Sequence, residues 1–150
     1  MRAFRFRAQA ALDLRRREDD DARRVYAQAE QDLVAAAQLL QEAENRAVAA
    51  VAAQAHALGS PGDAGDLQWH RSWIVRLEQE RRNGAARLEE HKERRAEASA
   101  ACQRTRQRVQ SLERLKDKTH DTHTRAEETE TRKELDMIGT LRFVAARRAR

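Results

Sequence analysis

The chain has 150 residues, of which 37% are charged, with 30 lysines and arginines against 25 aspartates and glutamates. A single proline, five glycines and few aromatic residues exclude the mixed composition of a globular enzyme domain. Alanine, glutamate, lysine, leucine and arginine together exceed half of the chain, which is typical of a long helix or coiled coil. Because the charges nearly balance and the apolar residues are patterned, the composition favours helices over disorder.

The basic excess lies at the two ends of the sequence. Residues 1–17 contain six arginines and one acid, and the last nine residues contain four arginines and no acid. This distribution favours a protein that docks through its ends. The single Cys102 fits a reducing compartment, and the sequence has neither an apolar run of membrane-spanning length nor a secretory signal. We therefore expect a cytoplasmic protein.

The first predicted helix covers about residues 4–58 and carries the clearest repeat. Alanine recurs at a seven-residue spacing, at Ala22, Ala29, Ala36, Ala43, Ala50 and Ala57. A second series follows four residues after its successive members, at Tyr26, Leu33, Leu40 and Ala47. Two such series form the a/d seam of a left-handed coiled coil, and alanine along one of them permits a close approach of the helix axes.

Helix-breaking residues cluster at one place, residues 59–65 with the sequence GSPGDAG. Gly59 is predicted to end the first helix in a left-handed conformation. Asp66 is predicted to cap the second helix, with the alternative that Ser60 caps it and Pro61 takes the first helical position. The fold predicted for residues 1–150 is therefore all-α, a single domain formed by a long antiparallel two-helix coiled coil.

The second predicted helix runs from residue 66 to about residue 147 and has a looser seam. The seam is interrupted at Arg81, Gly84, His91 and Arg95. A turn near residue 62 pairs positions whose numbers sum to about 124. This register places Leu40 opposite Gly84 and Ala47 opposite Leu77, so that a large side chain faces a small one at each position.

The second helix is predicted to be the longer one, because on this register residue 4 lies opposite residue 120. Residues from about 121 onward are then expected to lack a partner helix. Apolar residues return near the end of this segment, at Leu135, Met137, Ile138, Leu141, Phe143 and Val144. A projecting helix with an apolar stripe and an arginine-rich end is suited to insertion into a partner, and the alternative is a solvated tail.

The sequence contains no phosphate-binding loop and no nucleophile motif. Cys102 is expected to be a seam thiol without a catalytic partner. His120 and His123 supply too few convergent ligands for a metal. The runs 15–17 and 18–21, basic and acidic, are typical of a solvated helix face. We predict no catalytic, cofactor-binding or metal site and no enzymatic activity.

Trp69 and Trp73 are the most unusual residues of the chain. Their spacing of four places both rings on one face of the second helix, close to the predicted turn. They can form an apolar plug that closes the hairpin, or they can bind a partner, since tryptophan is enriched at binding hot spots. We favour partner binding.

Three segments together point to a known family. Residues 4–18 read FRFRAQAALDLRRRE, residues 112–118 read LERLKDK and residues 132–137 read RKELDM. Their order and spacing resemble the flagellar export protein FliJ family, with its F-x-F-x-L-Q-x-L-L-x-x-R opening and its L-E-x-L-K-x-x and x-K-E-L-D-E segments. Ala8, Ala11 and Met137 depart from the family pattern.

This resemblance implies a non-enzymatic stalk of the flagellar type III protein export apparatus, similar to the γ stalk of rotary ATPases. The implied partners are the hexameric export ATPase, the cytoplasmic domain of the export gate FlhA and export chaperones, with a peripheral position at the inner face of the cell membrane. The ATPase end would contain Leu12, Leu14, Arg15, Arg16, Leu135, Asp136 and Arg142. Gate docking would involve Trp73 and Leu77, to which we add Trp69.

Other functions stay open at this stage. Virulence-type secretion stalks related to YscO share the architecture. A nucleic-acid-binding coiled coil would use the basic ends, but phosphate tracking needs a continuous basic stripe, and acidic residues interrupt the middle of both helices. A scaffold that dimerises through its apolar stripe is the third alternative.

Overall fold

The computed structural model describes residues 3–59 and 64–148. Two helices account for nearly all of them, α1 at Gln9–Leu58 and α2 at Ala64–Arg148. No strand occurs within these ranges, and α2 has 85 residues against 50 in α1. The predicted all-α hairpin with a longer second helix is therefore confirmed.

The first helix begins later than the sequence pattern predicts. Residues 3–6 have no regular structure, and the backbone N–H of Gln9 donates to the carbonyl of Phe6 over 3.1 Å. The ring of Phe4 packs edge-on against His120 and His123, with centroids 5.0 and 5.6 Å apart. The N-terminal segment thus covers α2 with an aromatic side chain instead of extending α1.

The first helix ends at Leu58, as predicted, but the predicted caps of both helices near the turn need correction. No described glycine has a positive φ, so Gly59 does not adopt the left-handed conformation. Its N–H instead donates to the carbonyl of His56 over 3.2 Å, a 3₁₀-type bond that tightens the last turn. Asp66 lies within the first turn of α2 rather than at its cap, where its carboxylate favours the helix dipole. Ser60 and Pro61 lie outside the described residues.

The chain divides into two compact units, and both helices contribute to each. Unit 1 comprises Met1–Asp19 and Thr105–Arg150, and unit 2 comprises Asp20–Arg104. Neither helix, in the part of the chain that the structure describes, is long and apolar enough to cross a membrane.

Unit 2 is held by small residues of one helix packed against larger residues of the other. Leu77 is 1% exposed and packs with Ala47, Ala50 and Ile74. A Cβ added to Gly84 would lie 3.4 Å from Cδ1 and 3.7 Å from Cα of Leu40. These contacts confirm the predicted register for this unit, with alanine or glycine opposite a large side chain.

One charged residue interrupts the seam of unit 2 and is satisfied there. The Nε of Arg95 donates to Glu30 over 3.0 Å, and a terminal nitrogen donates to the hydroxyl of Tyr26 over 3.1 Å. The guanidinium also lies over the Tyr26 ring, 5.6 Å from its centroid. The hydrogen bond to Glu30 is the largest cause that raises the pKa of Arg95.

Unit 1 combines one fully buried leucine with polar contacts between the helices. Leu12 is 0% exposed. Asp19 is 4% exposed and accepts a hydrogen bond of 2.8 Å from the hydroxyl of Thr105. Lys116 donates to the side chain of Gln9 over 3.1 Å. A buried polar residue in an apolar seam costs stability and specifies register.

Candidate partner-binding surfaces

The end of α2 presents an apolar surface that no other described residue covers. Every residue from 128 to 148 is exposed, and we call this segment the overhang. An α-helix has 3.6 residues per turn, and at this spacing most of the large apolar side chains of the overhang fall on one side of the helix. One face carries Met137, Ile138, Leu141, Val144 and Ala145, which we call the overhang stripe.

Two further apolar residues of the overhang lie away from this stripe. Leu135 is 63% exposed and Leu141 is 62% exposed, yet only Leu141 lies on the striped face. Phe143 is also exposed and projects from a different face than Leu141.

The unpaired part of α2 begins later than predicted. The sequence pattern predicted that residues from about 121 onward lack a partner, but Phe4 contacts His123.

The residues predicted for the ATPase end all belong to unit 1. Leu135, Asp136 and Arg142 lie on the overhang and are exposed. Near the start of α1, Leu14 is exposed, whereas Leu12 is buried and supports the packing of the unit. The structure therefore places both predicted groups in unit 1 but does not bring them together, because Arg16 contacts Glu113 and Leu135 lies about 33 Å further along α2. Most of their side chains are exposed.

The two arginines of this group that lie on α1 are already engaged within unit 1. Arg15 pairs with Glu18 one turn along α1, at 2.7 Å. Arg16 donates to Glu113 of α2 over 2.7 Å. This hydrogen bond is the main cause that raises the pKa of Arg16, so Arg16 acts first as a tie between the helices.

The two tryptophans form an exposed stack at the start of α2. Their rings are nearly parallel, with an interplanar angle of 10° and centroids 6.1 Å apart. Trp69 is 61% exposed, and the guanidinium of Arg76 lies 5.9 Å from the centre of the Trp73 ring. Leu77, the third residue predicted for gate docking, is buried against Ala47 and Ala50, so its side chain is not offered to a partner. Of the two rings, Trp69 is more exposed than Trp73, which is 37% exposed.

Unit 2 also contains a groove that the sequence pattern did not predict. It has a volume of about 500 Å³ and is lined by Leu39, Ala43, Gly84 and Arg87 among others. Arg87 follows Trp73 by two heptads on α2, so both lie on the same side of that helix. The sequence signal for this groove is the alanine-rich stretch of α1, because the short side chains of Ala35, Ala36 and Ala43 line it.

These surfaces expose apolar, aromatic and arginine side chains. Among residues 3–59 and 64–148, no cluster of three or more histidine, cysteine or acidic side chains is arranged to hold a metal. Cys102 is partly buried. His123 approaches Glu127 at 3.6 Å and receives the Phe4 ring, which gives it a packing role.

No protein-family model matches the chain, and no curated protein and no solved structure matches it either.

Proposed function

We propose that this chain is a non-enzymatic stalk of a flagellar type III export apparatus, which binds the export ATPase hexamer, the export gate and export chaperones. It would act in the cytoplasm, held peripherally at the inner face of the cell membrane by the apparatus. The observation that carries the proposal is the overhang, an exposed helix with an apolar stripe followed by an arginine-rich end.

The overhang suits a partner that encloses it. A single helix with exposed leucine, isoleucine and valine side chains gains stability when these are removed from water, at about 25 cal/mol per Å². Its last twelve described residues, 137–148, contain three arginines and no acid. Arginine forms bidentate contacts with carboxylates, so an acidic, partly apolar channel is the complementary surface.

The tryptophan stack supports a second contact with a different partner. Stacked, exposed tryptophans next to an arginine have the composition of a binding hot spot. They belong to unit 2, whereas the overhang belongs to unit 1. One chain therefore carries two separate candidate surfaces, as a coupling protein requires.

The test is direct binding to the purified export ATPase hexamer. We expect the full chain to bind, and a chain without residues 1–17 and 135–150 to lose that binding. The variant with Trp69→Ala and Trp73→Ala is the matched control and should bind the hexamer like the unchanged chain. Hexamer binding that survives deletion of both terminal segments would contradict the proposal.

A further inference from the structure

We propose that residues 3–8, which precede α1 and which we call the strap, hold the part of α2 from which the overhang projects. Docking or release of the strap then sets how much of α2 projects as a single helix. This inference does not depend on the identity of any partner. It rests on the contacts of Phe4, on the order of side chains along the strap and on the charge of the helix face beneath it.

The second helix stays partly buried beyond the start of α1. Gln9, the first residue of α1, accepts a hydrogen bond of 3.1 Å from Lys116. The following residues 117–127, which we call the overhang root, still include half-buried positions, and uninterrupted exposure begins only at residue 128. The ring of Phe4 packs here, with its centroid 5.0 Å from that of His120 and 5.6 Å from that of His123. The strap therefore covers the overhang root.

The order of side chains in the strap favours this position over a longer α1. Phe4 and Phe6 are half-buried, whereas Arg5 and Arg7 are exposed. Side chains of an extended chain alternate between its two sides, so both phenylalanines can face α2 together. A helical continuation of α1 would instead place Arg5 on the seam, seven residues before the buried Leu12. The strap thus buries its aromatic residues and leaves its charges in water.

The face of α2 beneath the strap is acidic. Residues that lie three, four or seven positions apart share one face of a helix. The acids on the face of His120 and His123 are Glu113, Asp117, Glu127, Glu130 and Glu134. Among residues 113–134, the base on this face is Lys116, which is bound to Gln9. Arg5 and Arg7 bring positive charge to this face, which favours docking of the strap even without a direct ion pair.

Docking of the strap determines the length of the projecting helix. With the strap in place, α2 is unsupported from residue 128 onward. Without the strap, α2 would be unsupported from residue 117 onward, which adds about 16 Å of single helix. Helix amides that are not held by packing open more often to solvent. A partner that captured Phe4 and Phe6 would therefore loosen the overhang root, and a partner that bound the root would release the strap.

Hydrogen–deuterium exchange of the full chain, resolved by peptide, tests the proposal. We expect Phe4→Ala to speed amide exchange in the overhang root by about threefold or more, because the aromatic contact between the strap and α2 is lost. Phe4→Tyr keeps the ring and should keep the protection. Phe143→Ala is the matched control, since this phenylalanine is exposed on the overhang, and it should leave exchange in the root unchanged.

Charge reversal tests the attraction between the strap and the acidic face. The double variant Arg5→Glu and Arg7→Glu should speed exchange in the overhang root, because like charges then lie against one another. The difference from the unchanged chain should shrink as salt is added, since exposed charges are screened. The double variant Arg147→Glu and Arg148→Glu makes the same change of charge at the far end of α2 and should leave the root unchanged. All measurements use one pH above the range in which histidine titrates.

Three results would overturn the proposal. Exchange in the overhang root could be the same in Phe4→Ala and in the unchanged chain, which would show that the strap does not hold the root. Exchange could rise equally around Leu77, which would make Phe4 a support of the whole fold. The reversal of Arg5 and Arg7 could leave exchange in the root unchanged at low salt, which would exclude attraction between the strap and the acidic face.

Discussion

Gly84 is the residue at which the packing of unit 2 leaves room for one more atom. A Cβ at this position would lie 3.4 Å from the Leu40 side chain, which is an ordinary contact. We predict that Gly84→Ala stabilises the chain by up to about 1 kcal/mol, because glycine is a poor residue in a helix interior. Chemical denaturation monitored by circular dichroism measures the change.

Two further variants give this prediction its controls. Gly84→Leu should lower the free energy of unfolding by about 1–3 kcal/mol, since the larger side chain overlaps with Leu40. Gly139→Ala meets nothing within 4 Å and should strengthen only the overhang helix. A destabilising effect of Gly84→Ala would show that the helices approach more tightly than the structure indicates.

Asp19 and Thr105 test a polar contact within the seam of unit 1. Thr105→Val keeps the shape of the side chain but removes the hydroxyl that donates to the buried carboxylate. We predict a loss of about 1–3 kcal/mol, because a buried acceptor loses a partner. The double variant Asp19→Leu and Thr105→Val should recover that stability, since an apolar pair replaces a polar one.

Thermal and chemical unfolding of the two variants compare these outcomes. If Thr105→Val had no effect, the carboxylate of Asp19 would not depend on this hydroxyl. The interpretation of residues 18–21 as a solvated face is wrong for Asp19, which is buried. Asp19 follows Leu12 by seven residues, which places it on the same seam series and indicates burial. The neighbouring acidic residues indicate a solvated face instead, and this second pattern led to the wrong prediction.

At the scale of the helices, the seam was predictable, whereas the start of α1 and the caps beside the turn were not. The heptad spacing of alanine and leucine determines which faces meet, and Leu77 with Ala47 and Ala50 packs as predicted. Helix ends depend instead on single hydrogen bonds, such as Gly59 to His56, and on local packing, such as Phe4 on His120. A heptad pattern contains no information on these single contacts, so it does not predict the start of α1 or the cap at Gly59.

The contrast between Leu77 and Trp69 gives a prediction at this scale. Leu77→Ala should cost about 2–5 kcal/mol, because it leaves a cavity among buried residues. Trp69→Ala removes a largely exposed ring and should change the free energy of unfolding by about 0.5 kcal/mol or less. Urea titrations of the two variants make the comparison, and equal losses would mean that the tryptophan stack closes the fold instead of serving a partner.

At the scale of the whole molecule, the exposed overhang is distinct from the residues that pack between the two helices. Residues 128–148 are exposed and contribute no packing among the described residues. We predict that a chain ending at residue 127 keeps the thermal midpoint of the full chain while its helical signal falls in proportion to the residues removed. A clear drop in the midpoint would show that the overhang supports the fold.

The candidate surfaces were only partly predictable from the sequence. The exposed stripe and the tryptophan pair follow from spacing and composition, and both lie where the sequence indicates. The burial of Leu12 and the tie between Arg16 and Glu113 do not, because they depend on contacts between segments about a hundred residues apart. The proposed partners rest on the family resemblance of residues 4–18, 112–118 and 132–137.

The proposal that the overhang stripe and the tryptophan pair bind different partners is tested most directly by measuring two variants against two partners. One variant carries Ile138→Ser and Leu141→Ser on the overhang stripe, and the other carries Trp69→Ala and Trp73→Ala. Binding of each to the export ATPase hexamer and to the cytoplasmic domain of the export gate is measured by isothermal titration calorimetry. We expect the stripe variant to lose only its binding to the hexamer, and the tryptophan variant to lose only its binding to the gate domain. If both variants bound both partners like the unchanged chain, the proposed stalk function with two separate binding surfaces would be contradicted.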